Sequence, residues 1–250
     1  MQVHTALIMC AVFLRFSGKI DISVKKTNIK NAFTMQKAGG TSMEISDIVL
    51  RKIDGYKFKG GLDQTAKLFL KLASMYHQKV KEHSERVALL SEEIAIRTGK
   101  DPKPAFIGAL MHDNAKILLP YDLFDDRNIS EEEYQKIKKH PVKGFEILKD
   151  FHEFTAMCAG LHHALYESGY GLTLKDFPPD WDLELVKKAL DISVIISIAD
   201  FIDAFTHRKT SIKDGSDKGS LRLEEMLKAK YPNDHQAVEV ALKVQKELNM

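Results

Sequence analysis

The chain has 250 residues, of which 44% are hydrophobic and 29% charged, and this composition excludes a disordered or fibrous protein. Thirty-seven basic and thirty-five acidic residues leave a formal net charge of +2, so no strong overall field is available to hold long nucleic acid. The two cysteines are too few for a disulfide framework, which is compatible with a cytoplasmic location.

The N-terminal residues 1–42 are predicted to be an extension or linker ahead of one main domain over 43–250. Their apolar stretch 5–16 is too short to span a bilayer, and no lysine or arginine precedes it. A buried helix or strand, or an extension upstream of the domain, is therefore favoured over a signal peptide. We predict no membrane span.

The remaining sequence alternates stretches of helical period with short polar breaks, and few runs alternate as strands do. We therefore predict an all-α fold. In the first strongly periodic stretch, 83–98, His83 shares one face with three aliphatic residues, and Gly99 can end the helix. His83 is thus expected to point inward.

A second helix is predicted over 105–119, with His112, Asp113 and Lys116 on one core-facing side. Consecutive residues on a helix point about 100° apart, since a turn has 3.6 residues. His112 and Asp113 can therefore reach the same ion only at a helix end or within a facing cluster of ligands.

The next helix is predicted to begin at a capping box formed by Ser130 and Glu133 and to run to Lys139. His140 and Pro141 interrupt it, and Pro141 can begin the following helix. His140 is therefore expected at a junction between two helices.

Toward the C terminus, 184–208 is predicted to be one long helix whose mainly apolar face carries Asp200. The composition of 211–220 indicates a flexible loop. Two terminal helices are expected to follow, the second over 234–248.

Ionisable side chains recur at or beside these core-facing positions, where burial without a compensating charge is costly. A divalent metal supplies that charge, and imidazole with carboxylate suits iron, manganese, zinc or nickel. The predicted metal ligands are His83, His112, Asp113, His140, His162, His163 and Asp200.

The order and spacing of these residues over about 80–210 resemble the HD superfamily, and within it most closely the HD-GYP phosphodiesterases. The motifs that carry the resemblance are H-S-E-R-V from His83, G-A-L-M-H-D-N-A-K from Gly108, K-H-P-V-K-G from Lys139, H-H-A-L-Y-E-S-G-Y-G from His162 and A-D-F-I-D-A-F-T from Ala199.

The resemblance implies an HD-domain helical bundle with extra C-terminal helices, and a binuclear centre with two divalent metal ions. Iron or manganese is the expected metal, and zinc or nickel is the alternative. In the family pattern the basic site is formed by His83, His112, Asp113 and Asp200, with Asp113 bridging the ions. The second ion's ligands are completed by His140, His162 and His163.

Lys116 resembles the lysine of the family's HDxGK motif, where a cation can neutralise charge on the phosphoryl group. Together with Asp113 it is predicted to be catalytic. The alternative for Lys116 is a surface lysine whose stem packs on the protein.

The resemblance weakens after the histidine pair, where the family has HHExxDGxGYP. Four of those positions differ here, at Ala164, Glu167, Ser168 and Gly171. Tyr170 is a candidate to stack on a substrate base, although it could equally pack on its own helix.

Two further positions depart from the family. Lys79 stands where some members with three metals carry a glutamate, which favours two ions. Arg208 and Lys209 stand near the family's Arg-Pro-Tyr-Arg segment and are candidates to bind substrate phosphate, with compensation of the helix dipole as the alternative.

These observations predict a metal-dependent phosphohydrolase that cleaves a phosphodiester of a cyclic dinucleotide, such as cyclic di-GMP, or of a related nucleotide, as in signalling. Two other functions stay open. One is an HD-type di-iron oxygenase, and the other is a non-catalytic nucleotide-binding receptor. The sequence also leaves a homodimer open.

Overall fold

The computed structural model describes residues 44–125, 127–207 and 217–248, with side chains of the last range described from residue 222. Every regular element in these ranges is a helix, which confirms the predicted all-α class. None of the helices so described is both long and apolar enough to cross a membrane. The predicted extension 1–42, and with it the domain boundary, lies outside the described residues.

Ten α-helices follow one another along the described ranges. They are α1 Ile45–Tyr56, α2 Leu62–Tyr76, α3 Gln78–Arg97, α4 Pro102–Met111, α5 Glu131–Ile137, α6 His140–Leu148, α7 Glu153–Leu161, α8 Leu183–His207, α9 Asp217–Lys230 and α10 His235–Leu248. Short 3-10 turns lie at Asn114–Leu118, Tyr121–Phe124 and Leu174–Asp176.

The long helix α8 is the centre of the packing and contacts α3, α4, α7, α9 and α10. Apolar side chains lie around most of its circumference, as expected for a helix covered on several sides. Its buried residues nevertheless include the carboxylates Asp200 and Asp203. The fold therefore carries negative charge into the centre of the domain.

Helix α1 is attached to α3 by a buried polar contact. Lys52 Nζ lies 2.7 Å from a Glu92 carboxylate oxygen, and the Tyr56 hydroxyl donates a hydrogen bond to the same carboxylate. Glu92 is almost completely buried, so these partners offset the cost of burying its carboxylate. This contact fixes α1 on the domain.

Several predicted helix ends are confirmed. Gly99 has φ +69° just after α3, the left-handed conformation that glycine adopts easily at a helix C terminus. Ser130 Oγ accepts from Glu133 N, and Glu133 Oε2 accepts from Ser130 N, which is the predicted capping box. His140 is the first residue of α6, at the predicted junction.

The helix predicted over 105–119 is confirmed as far as Met111 and is wrong beyond it, because α4 ends there and a 3-10 turn follows. His112 Nδ1 donates to the Ala109 carbonyl at 2.6 Å, and Asn114 Nδ2 donates to the Met111 carbonyl at 2.9 Å. These side chains bond the carbonyls that a continuing helix would use. The helix therefore ends beside the His-Asp pair.

The predicted loop over 211–220 is also too long at its C-terminal end, since α9 already begins at Asp217. The rest of that loop, together with Arg208 and Lys209, lies outside the described residues. The long helix predicted over 184–208 and the final helix predicted over 234–248 are confirmed within one residue by α8 and α10.

Candidate metal centre

Three histidines are presented from helix ends in the same way. His112 follows α4, His140 begins α6 and His162 follows α7. Each Nδ1 contacts the backbone carbonyl three residues earlier, at 2.6 Å for Ala109, 2.7 Å for Ile137 and 2.8 Å for Ala159. Since a neutral imidazole carries one N–H, this bond leaves a free lone pair on each Nε2.

The carboxylate of Asp113 lies between two groups of imidazoles and is fully buried. Its Oδ1 is 3.1 Å from His140 Nε2 and 3.7 Å from His162 Nε2. Its Oδ2 is 3.4 Å from His83 Nε2 and 3.3 Å from His112 Nε2. Each oxygen therefore faces a different pair of nitrogens.

Asp200 approaches the same imidazoles from α8. Its Oδ1 lies 3.1 Å from His83 Nε2 and 3.9 Å from His112 Nε2, and its Oδ2 lies 3.8 Å from His163 Nε2. Two aspartates from different elements thus converge on one set of histidines.

All seven predicted ligands fall into three overlapping groups, in each of which the ligand atoms lie within 4.8 Å of one another. The groups are His83, His112 and Asp200; His140, His162 and His163; and His112, Asp113 and His162. The structure therefore brings together side chains that are 117 positions apart at the extremes, from His83 to Asp200.

The residues of this cluster fit metal ions. His83 Nε2, His112 Nε2 and Asp113 Oδ1 are buried without a hydrogen-bond partner, which is costly unless a cation is bound there. The Nε2 atoms of His140 and His162 lie 3.1 Å apart with lone pairs facing each other. Two nitrogens bound at right angles about 2.1 Å from one ion would be separated by about 3.0 Å.

The charge states suit the same use. Burial lowers the pKa of His163 to about 3 and the pKa of His162 well below its usual value, so both rings are neutral, as metal ligands must be. Burial would lower the pKa of His83 too, but Asp113, Asp200 and Asp203 raise it to about 10. The carboxylates that favour a proton at His83 also favour a metal ion.

Lys116 is buried, with only 4% of its surface exposed, which contradicts the surface alternative. Its Nζ lies 2.5 Å from Asp113 Oδ2. Burial would raise the pKa of Asp113, but His112, Lys116 and His140 hold it well below its usual range. Asp113 is therefore a permanent anion with a lysine on one of its oxygens.

Two residues that the sequence did not single out for the site lie behind His83. Asp203 Oδ2 is 2.7 Å from His83 Nδ1, and Arg86 contacts both oxygens of Asp203, at 2.6 and 2.9 Å. A signal existed, because Asp203 follows Asp200 by three residues on α8. The contact between Asp203 and His83 depends on how α3 and α8 approach each other, which the sequence pattern does not show.

The loop after the histidine pair packs tightly on the cluster. The ring of Tyr170 stacks on His163 with centroids 4.6 Å apart, and Tyr170 N donates to the His163 carbonyl at 2.8 Å. A Cβ on Gly169 would lie 2.4 Å from that carbonyl oxygen. Ser168 has φ +63°, so this residue occupies a conformation that favours the glycine of the family pattern.

Tyr170 therefore lies beside the cluster with one ring face on His163, and its role in stacking on a substrate base stays a prediction. Arg208 and Lys209 lie outside the described residues, so their predicted contact with substrate phosphate also stays a prediction.

Comparison with known proteins agrees with this architecture. Residues 80–205, about half of the chain, match the family model described as the HD domain. The chain therefore belongs to the HD domain family, which confirms the predicted superfamily, whereas the HD-GYP subtype stays a prediction. HD domains bind divalent metals, in line with the described clusters.

Two solved structures are similar to the fold. The HD domain of the L. monocytogenes phosphodiesterase PgpH has a TM-score of 0.50 at 19% identity, covering 73% of this chain and 99% of that chain. The same domain in complex with cyclic-di-AMP has a TM-score of 0.49 at 20% identity, covering 72% and 94%. No curated protein matches the chain.

Proposed function

We propose that this HD domain protein is a metal-dependent phosphohydrolase that cleaves a phosphodiester of a cyclic dinucleotide or related nucleotide. The proposal depends most on Asp113, whose two oxygens face two different groups of histidines. A carboxylate with one oxygen toward each group is suited to bridge two ions. We therefore propose a binuclear centre.

The two ions would have different ligands from the chain. The first ion would be held by His83, His112 and Asp200, and the second ion by His140, His162 and His163. Asp113 would bind both ions. This mixture of imidazole and carboxylate suits iron or manganese, with zinc or nickel as alternatives. When bound, such ions lower the pKa of water to provide a nucleophile and stabilise charge on the scissile phosphate.

The chain's own groups would contribute orientation and charge. Backbone carbonyls hold the rings of His112, His140 and His162 by their Nδ1 atoms, so each Nε2 is fixed before a ligand arrives. Lys116 would neutralise negative charge that builds on the phosphoryl oxygens, since its amine already lies against Asp113 inside a buried cluster.

The substrate class rests on the motif resemblance rather than on a described ligand. The loop at 164–171 differs from the family pattern at four positions, so the substrates to be compared include cyclic di-GMP, other cyclic dinucleotides and nucleotides. Tyr170, beside His163, and Arg208 with Lys209 are the proposed substrate contacts.

The experiment is anaerobic purification with elemental analysis, followed by a hydrolysis screen of cyclic dinucleotides and nucleotides with manganese or ferrous iron while oxygen is monitored. We expect about two ions per chain and hydrolysis without oxygen consumption. Oxygen consumption without hydrolysis would instead indicate an oxygenase. Nucleotide binding without turnover under any metal would indicate a receptor.

A further inference from the structure

Lys230 is the last residue of α9 and lies outside the segment that matches the HD domain model. Its Nζ lies 3.7 Å from the centre of the Tyr166 ring and 4.3 Å from that of Phe201, with Tyr231 at 6.0 Å. Ring faces attract a cation at these distances. The aromatic side chains therefore hold the amine in a defined position.

The amine of Lys230 has no carboxylate within ion-pair distance in the part of the chain that the structure describes. Lys228, on the same helix, instead pairs with Glu224 at 2.6 Å. Burial lowers the pKa of Lys230, whereas the charge of Asp200 raises it. Lys230 is therefore a partly desolvated cation that feels the charge of Asp200 without pairing to it.

One tyrosine ring separates Lys230 from His163. The Tyr166 hydroxyl is 3.3 Å from His163 Nδ1, and the other cation-binding ring, Phe201, directly follows Asp200. Lys116 already supplies a cation at Asp113. A phosphate at the cluster would be close to Lys116, and Lys230 provides a second cation on the other side of the Tyr166 ring.

We propose that Lys230 is a specificity-determining residue that binds the second, non-scissile phosphate of a nucleotide ligand with two phosphates. This inference rests on the proposed function and narrows its substrate class to dinucleotides. It assigns a substrate contact to a helix outside the HD domain match.

The test compares two substrates in the metal-loaded full chain, the cyclic dinucleotide that it hydrolyses best and bis(p-nitrophenyl) phosphate, which has one phosphodiester. We expect Lys230→Gln to raise KM for the dinucleotide about tenfold or more, because a charge-assisted contact to phosphate is lost. The kcat for the dinucleotide and the kcat/KM for bis(p-nitrophenyl) phosphate should stay within about twofold of the wild type.

Three variants make the result specific. Lys230→Arg should restore most of the affinity for the dinucleotide. Lys228→Gln removes one positive charge from the same helix and should behave as the wild type. Lys230→Met keeps the aliphatic stem against the rings and should reproduce the loss if Lys230→Gln is poorly folded. Equal losses on both substrates, or an unchanged KM for the dinucleotide, would overturn the inference.

A binding measurement separates this inference from the proposed function. The dissociation constant of the hydrolysis-resistant bis-phosphorothioate of the cyclic dinucleotide should rise about tenfold in Lys230→Gln. If the wild type binds that analogue about tenfold more tightly than Lys230→Gln does but hydrolyses nothing with any metal, the proposed function fails and the inference stands. A dissociation constant that does not change in Lys230→Gln rejects the inference alone.

Discussion

The most informative group at the residue scale is the Asp113 carboxylate, because every described histidine of the cluster except His163 lies within 4 Å of it. It is buried, anionic and shared between two groups of nitrogens. Its charge therefore balances whatever cations bind there, and its removal should affect both proposed ions together.

Asp113→Ala should lose most bound metal and lower hydrolysis at least a hundredfold, because each proposed ion loses a ligand. The double variant His112→Ala with Asp113→Ala should lose all bound metal and all hydrolysis. Elemental analysis and the hydrolysis assay measure this. Asp191→Asn, which changes an exposed carboxylate paired with Lys100, is the control and should retain both. Full metal content in Asp113→Ala would contradict the bridging role.

Asp203 and Arg86 permit a test of how His83 is positioned. Asp203→Asn weakens the bond that orients His83 through Nδ1, and we expect metal affinity to fall about 10- to 100-fold. Arg86→Lys keeps the charge but loses the two-point contact with Asp203, so a smaller loss is expected. Metal titration of the chelator-treated protein measures both. An unchanged metal affinity in Asp203→Asn would show that His83 needs no such support.

The sequence predicted which ionisable residues come together, but not the partner behind His83. Burial of many imidazoles and carboxylates is costly in any fold, so their accumulation on apolar helix faces could be noticed without coordinates. The partner of His83 Nδ1 depends on the crossing of α3 and α8, which one sequence does not specify.

At the scale of single elements, local hydrogen bonds set the end of α4, which the period of apolar residues did not predict. The helical period of the sequence continues from 105 to 119, through His112. In the structure, however, the side chains of His112 and Asn114 donate hydrogen bonds to the carbonyls of Ala109 and Met111. Such bonds compete with the helix and are invisible to a hydrophobic period. The break they cause presents the His-Asp pair from a helix end.

The loop from His163 to Gly171 is the element that most closely limits the cluster. Gly169→Ala would bring a Cβ within 2.4 Å of the His163 carbonyl oxygen and 2.8 Å of that of Tyr166, so backbone must move. We expect a loss of about 2–4 kcal/mol in the free energy of unfolding. A displaced His163 should also weaken metal binding.

Gly55→Ala is the matched control for that substitution. Gly55 lies in α1, and a Cβ added there would meet no neighbouring atom within 4 Å, so alanine should stabilise the helix by about 0.5–1 kcal/mol. Urea denaturation of both variants and the wild type measures the change in the free energy of unfolding. Equal effects of the two substitutions would show that the loop is not tightly packed.

At the scale of the whole molecule, helix content was predictable but the arrangement was not. The period of apolar residues identifies helices such as α3, α8 and α10, since each buries one side or more. Nothing in that period says that α8 contacts five other helices or that Glu92 fixes α1 on α3. Those contacts depend on tertiary packing and on pairs of buried charges.

The opposing pKa shifts within one cluster predict how stability depends on pH. His163 has a pKa of about 3, below its ordinary value, so its contribution to stability is present above about pH 6.5 and is lost as the pH falls toward 3. His83 has a raised pKa of about 10, so its contribution is present below about pH 6.5 and is lost as the pH rises toward 10. Chelator-treated protein should therefore be most stable near pH 6.5.

Metal should change this profile in one direction, because metal binding requires His83 without its proton and competes with protons less as the pH rises. We expect manganese to raise the Tm of chelator-treated protein more at pH 8 than at pH 6, measured by thermal denaturation at matched ionic strength. Asp113→Ala should show little shift at either pH, because each proposed ion lacks a ligand. An equal manganese shift at both pH values, or a shift that persists in Asp113→Ala, would mean that the ion binds away from this cluster.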